Sequence, residues 1–337
     1  MIEVSAAAWA ATIGLVIALF ALDLVVAVRK PHHVGIREAT FWSVFYILVA
    51  LLFGLAVWSF AGSTAGTEYY SGYIVEKSLS VDNLFVFVII MAKFEVPDEY
   101  QQKTLLFGIA AALVLRVILI AIGGAAISLF SFTFLLFGLV LIWTAIQLIR
   151  HRNEEPDVED NFLVRRARKL FPISDDYHGG RMLARENGRR VATPLLIVFV
   201  AIGSTDLLFA LDSIPAVYGI TQSAFLVFTA NAFALLGLRA LYFLVEGLLE
   251  RLVYLTIGLS AILVLIGIKL ILLFLHEDVS HSIPEIPTPL SLVVILLILV
   301  VTTVASLLRV RAHPEEKAQP GALRKKKPRE EKESTTR

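Results

Sequence analysis

Cysteine is absent from the 337 residues, which excludes disulfides and thiolate metal sites. Charge is scarce: Asp, Glu, Lys and Arg make up 18% of the chain, where a soluble chain carries about 25%. With 57% hydrophobic residues and a mean hydropathy of +0.77, that shortage excludes a soluble globular domain. No glycine-rich phosphate loop and no nucleophile–base arrangement is visible. The seven histidines fall in loops without metal-chelating spacing; His276 and His281, beside Glu277 and Asp278, read as a solvated loop. Neither an enzyme, a prosthetic group nor a nucleic-acid partner is expected.

What the chain does have is a series of apolar runs, each long enough to cross a hydrocarbon core of about 30 Å. They predict an all-α polytopic membrane protein with about nine transmembrane helices, at 6–28, 41–61, 72–92, 105–122, 129–149, 192–214, 224–248, 253–275 and 290–308. The first run is too long, and too weakly flanked by positive charge, for a cleaved signal peptide. If alternate connections are assigned to one side, 26 of the 30 Lys and Arg fall on the side holding 29–40, 93–104, 150–191, 249–252 and the tail from Arg309. The opposite loops hold none. The positive-inside rule then puts the N-terminus outside and the C-terminus in the cytoplasm, in a bacterial inner membrane. The expected organisation is a two-helix segment (1–61), a three-helix block (72–149), a cytoplasmic loop (150–191), a second block (192–275), a last span (290–308) and a disordered cytoplasmic tail (309–337).

The two blocks resemble each other in spacing. Asp82 precedes Arg116 by 34 residues and Asp206 precedes Arg239 by 33; Gln147 and Lys269 follow those arginines by 31 and 30. Three spans per block make the second an inverted repeat of the first, an arrangement that places transporter sites near the midplane.

Carboxylates within spans each cost on the order of 3 kcal/mol, so their presence needs a reason. "EKSLSVDNLFVF" holds Glu76, Asp82 and Asn83, and "STDLLFALDSIP" holds Asp206 and Asp212. At 1.5 Å per helical residue, antiparallel spans put Glu76 opposite Asp212 and Asp82 opposite Asp206, two rungs of an acidic ladder. Asp23 is a third rung. These oxygen donors, with Ser and Thr beside them and no sulfur, suit a hard or borderline cation such as Mg²⁺, Ca²⁺ or Mn²⁺. Pro215 either ends its span or breaks it and frees backbone carbonyls. Arg116 and Arg239 are charge-pair partners of the acids, as structural bridges or as gates. Lys77 is read as snorkelling at the outer face.

The acidic stretches, with "FEVP" after the first and "ANAFALLGLRALYFLVEGLLERLVYL" after the second, resemble the two signature regions of the TerC family. The resemblance runs over roughly residues 8–308 and is nearest to the longer, Alx-like members. It implies a manganese exporter whose family name refers to tellurium resistance, with Glu76, Asp82, Asp206 and Asp212 serving the metal. The second block lacks the "DN" amide, having Leu207 after the acid, so the halves are not expected to contribute equally. The expectation is Mn²⁺ efflux through the bilayer, in exchange for protons, since a dication and protons compete for the same carboxylates. The alternatives are another cation, a tellurium-related function, or a membrane scaffold for metal loading or insertion of exported proteins.

Overall fold

The computed structural model describes residues 4–29, 35–150, 166, 172, 174, 177–186, 189–249 and 252–312; the tail beyond Ala312 and the side chains of Asp82 and Glu246 lie outside the described residues, as does Glu250. The helices in chain order are α1 (Ala6–Arg29), α2 (Ile36–Ala61), α3 (Ser63–Lys93), α4 (Asp98–Leu129), α5 (Thr133–Arg150), α6 (Pro194–Tyr218), α7 (Ala224–Leu235), α8 (Leu238–Leu249), α9 (Leu255–Asp278) and α10 (Thr288–Ala312). One antiparallel hairpin, β1 (Leu183–Glu186) and β2 (Arg189–Ala192), is the exception within an all-α polytopic membrane protein.

Seven of these helices are long and apolar enough to cross a membrane, and the bent pair α7–α8 makes an eighth. The expected span at 72–92 lies inside α3, whose apolar half is interrupted by Glu76, Lys77 and Asp82. By length and composition seven or eight of the described helices qualify; the ninth expected span rests on α3, which at 31 residues is long enough but falls short in apolarity.

Leu52, Phe60, Trp143 and Leu297 point outward, as lipid-facing side chains do. The interior holds three packed clusters to which α3 and α6 both contribute. Close approach is set by small residues. A Cβ at Gly138 of α5 would lie 2.7 Å from the Gly267 carbonyl of α9, and a Cβ at Gly267 would lie 2.9 Å from the Gly138 carbonyl. With no hydrophobic drive between helices in lipid, such backbone contact is a principal source of association.

Two departures from the sequence reading matter for the site. Pro215 sits inside α6, which continues to Tyr218, so the proline neither ends nor splits that span. The break falls instead between α7 and α8, where Leu236 is extended, Gly237 has φ +76° and the axis turns by 41°. The segment 224–248, read as one straight span, is two half-helices.

The 150–191 region is also more ordered than a solvated loop where it is described. The Tyr177 hydroxyl donates to the Phe94 carbonyl, Lys103 Nζ donates to the Gly180 carbonyl at 2.9 Å, and Thr193 Oγ1 donates to the Arg181 carbonyl at 2.6 Å. These bonds fasten the hairpin to the ends of α3, α4 and α6.

Candidate functional site

Arg116 of α4 is fully buried and gathers partners from three other helices. Its Nε and Nη2 donate to Asp206 Oδ2 and Oδ1 of α6 at 3.3 and 3.2 Å, a two-pronged grip. Nη1 donates to Glu76 Oε1 of α3, to Ser213 Oγ at 3.1 Å and to Asn231 Oδ1 of α7 at 2.9 Å. Glu76 and Asp206 are both 0% exposed. One guanidinium thus serves two carboxylates, and the cluster carries a net charge of −1 when all three are ionised.

Sites of this kind are fully satisfied or costly, and this one is not fully satisfied. Glu76 Oε2, Ser80 Oγ and Asn83 Nδ2 are buried without a hydrogen-bond partner among the described residues. At positions i, i+4 and i+7 of α3 they share one helix face.

The two-rung ladder is corrected. Glu76 meets Asp206, not Asp212. The reason is the true start of α3: Glu76 lies 13 residues beyond Ser63 and Asp206 lies 12 beyond Pro194, roughly 20 and 18 Å along their helices. Both lie near the middle of their helices. Asp212 is half-buried elsewhere and accepts from Thr144 Oγ1 of α5 at 2.8 Å. Asp23 is no third rung either. It receives Arg239 Nη2 at 2.8 Å and Nε at 3.2 Å, while Gln102 Oε1 accepts from Arg239 Nη1 at 3.2 Å. That second buried pair is separate from the first. Asn83 is 3% exposed on the α3 face described above. The Asp82 side chain lies outside the described residues. Among the described residues, no three His, Asp or Glu side chains form a metal-ligand group.

Lys77 does not snorkel. Its Nζ donates to the Ala234 carbonyl at 3.0 Å, at the C-terminal end of α7 where the break leaves carbonyls without helical partners. A cation at a helix C-terminus is also favoured by the helix dipole. Asn231 was not singled out from sequence; a lone amide inside "FTANAFALL" was the available signal, since polar groups in spans are expensive.

At the opposite end from the hairpin, a cavity of about 630 Å³ is lined by Glu68, Thr221, Lys269 and Glu285 among others. Thr221 Oγ1 donates to Glu68 at 2.5 Å and Lys269 Nζ donates to Thr288 Oγ1 at 3.0 Å. It is a polar mouth, apart from the Arg116 cluster. His276 lies in the last turn of α9, not in a loop, and pairs with Glu285 at 3.3 Å.

The hairpin region brings together a Ser–His–Glu trio that the sequence did not reveal. Ser174 Oγ lies 2.5 Å from Glu186 Oε1 and 3.0 Å from His178 Nε2, and that same Nε2 lies 2.7 Å from Glu186 Oε1. A hydrolytic relay needs the acid on one ring nitrogen and the serine on the other. Here both share Nε2, so the trio is a latch. Hydrogen bonds from Ser174 and then His178 hold the Glu186 carboxyl below its usual range. A depressed folded-state pKa stabilises above the unfolded value, and that contribution is lost as pH falls through the folded one. Protection factors at 177–186, which correct hydrogen exchange for its intrinsic pH dependence, are accordingly expected to fall on acidification below the usual glutamate range, and Glu186→Gln is expected to flatten that pH dependence. An unchanged profile in the variant would remove the latch.

The family model described as "Integral membrane protein TerC family" matches residues 61–313. An uncharacterized membrane protein of Mycobacterium tuberculosis (strain H37Rv) is 46% identical over 310 residues, covering 88% of this chain and 78% of its own. An uncharacterized membrane protein of Myxococcus xanthus is 42% identical over 310 residues, covering 92% and 95%. A protein of Escherichia coli K12 named "Putative membrane-bound redox modulator Alx" is 36% identical over 303 residues, covering 87% and 92%. None of these names is enzymatic. No solved structure matches the chain.

Proposed function

This chain belongs to the TerC family of integral membrane proteins, and on that premise we propose that it exports a divalent cation, Mn²⁺, from the cytoplasm through the Glu76–Asp206 site. One observation carries the reading: two fully buried carboxylates from α3 and α6 share a single arginine, and one carboxylate oxygen has no partner. The Arg116 guanidinium stands where a cation would bridge the acids. Glu76, Asp206, Ser213 and the Asn231 amide oxygen offer only oxygen ligands, which suits Mn²⁺ better than a soft metal.

Transport then alternates two partners for the same acids. With the dication bound, Arg116 swings off the carboxylates; when the ion leaves, Arg116 and a proton restore neutrality. The broken α7–α8 pair supports this, since half-helices at mid-membrane recur where ions bind, and Asn231 on α7 touches the site directly. The polar mouth at Glu68 and Lys269 is the exit. The excess of Lys and Arg in the connections at the other end supports an outward-facing mouth under the positive-inside rule. A redox role of the kind stated in the Alx name would not here use thiol exchange by this chain, which has no cysteine.

The test is uptake into liposomes holding the purified protein, with Mn²⁺, Ca²⁺ and tellurite compared. Mn²⁺ flux is expected in the native protein and is expected to fall at least tenfold in Asp206→Asn and in Glu76→Gln, the loss of about 1.4 kcal/mol or more for a buried charged contact. Flux of Ca²⁺ or tellurite instead of Mn²⁺ changes the cargo. Equal flux in native and variant proteins ends the assignment of the site.

A further inference from the structure

A groove of about 780 Å³ runs down the outside of the bundle between α4, α6 and the Gly180–Met182 segment. Phe107, Ala111 and Val114 of α4 and Phe199 of α6 form its walls, and Lys103 and Arg181 stand at one end. Among the described residues, no acidic side chain lines it. We propose that this groove is a binding site for one anionic phospholipid, its phosphate at Lys103 and Arg181 and an acyl chain along α4.

The geometry matches an amphiphile held parallel to the helices. From Lys103 to Leu115 is 12 residues, roughly 18 Å of helix, close to the ~15 Å of one leaflet's hydrocarbon. Polarity is graded in the same direction. Both cations sit at the end where α4 begins, and every α4 residue lining the groove beyond them is apolar. The small Ala111 opens a furrow between Phe107, 38% exposed, and Val114, 61% exposed. Lys103 is held in place because its Nζ donates to the Gly180 carbonyl at 2.9 Å, which fixes an ammonium beside the exposed Arg181. Basic pockets between helices at the membrane surface recognise anionic headgroups in this way.

The position gives such a lipid a route to the buried site. Leu115, at the deep end of the groove, immediately precedes Arg116, and Phe199 is two helical turns before Asp206 on α6. A lipid seated there braces the two helices whose side chains form the two-pronged grip. Nothing in the assignment depends on which ion is carried, so its test reads lipid and not transport.

The experiment is native mass spectrometry of the full-length protein in mild detergent with added phosphatidylglycerol or phosphatidylcholine. Phosphatidylglycerol is expected to be retained in preference. Arg181→Gln is expected to cut its retention about fivefold, the factor one basic residue contributes near a membrane surface. Ala111→Trp, which fills the furrow, is expected to do the same, with Ala111→Leu as the milder filler if the larger one does not fold. Arg311→Gln, at the end of α10, serves as the control and is expected to change nothing. Equal retention of both lipids, retention insensitive to either the charge or the filling variant, or an equal loss in Arg311→Gln would each overturn the proposal.

Discussion

Arg116→Gln is expected to destabilise the protein by about 3–5 kcal/mol, the usual consequence of removing one partner from a buried ion pair. Glu76 and Asp206, both 0% exposed, would be left as like charges with no water to screen them. Ser213 and Asn231 would each lose a partner as well. The measurement is thermal melting of the detergent-solubilised protein. Glu76→Gln with Asp206→Asn on the same background is expected to recover much of the loss, because neutral amides of the same shape remove the repulsion. The informative arm adds metal. If the two acids form a cation site, Mn²⁺ replaces the missing guanidinium in Arg116→Gln and raises its melting temperature far more than in the native protein. Mass action sets the scale, about 2.7 kcal/mol at a hundredfold excess over the dissociation constant. A melt that divalent ions leave unmoved would make Arg116 a structural clamp and nothing more.

Much of this arrangement was legible in the sequence, and the failures have identifiable causes. Apolar runs locate the membrane helices because hydropathy measures what the bilayer demands. They do not locate the start of α3, since Ser63, Thr64, Gly66 and Thr67 carry little apolar signal although they are helical. Starting α3 nine residues late put Glu76 near a membrane surface, and that single error shifted the ladder by one rung. The pairing of acids with arginines followed from charge balance inside the spans. Which acid met which arginine did not, because it depends on helix rotation and lateral neighbours that spacing does not encode. Thr144 as the partner of Asp212, and Gln102 beside Arg239, come from helices outside the matched acidic motifs.

The break between α7 and α8 was hidden for a related reason. Residues 224–244 are apolar enough to pass as one span even though they bend by 41°, and glycine is common in membrane helices. Here the glycine is obligatory. Gly237 has φ +76°, and a Cβ on it would lie 2.6 Å from Cδ2 and 2.7 Å from Cβ of Tyr46. Tyr46 is itself buried in the α2 interface and has no room to withdraw.

Gly237→Ala is therefore expected to lower stability by about 2–5 kcal/mol, combining left-handed backbone strain of roughly 1–2 kcal/mol with overpacking of roughly 1–3 kcal/mol. Gly14→Ala is the matched control: it lies in α1 with nothing within 4 Å of its would-be Cβ, and alanine there is expected to be neutral or stabilising by about 0.5–1 kcal/mol. The break also carries the carbonyl that Lys77 caps, so straightening α7 into α8 would withdraw that acceptor and shift Asn231 from Arg116. A Gly237 variant that does fold is thus expected to lose ion flux as well as stability, whereas Gly14→Ala keeps both. Melting curves and liposome flux on the same two preparations separate the cases. Equal melting of the two variants would mean that α2 and α8 yield at Tyr46, and that the bend is not held by this residue.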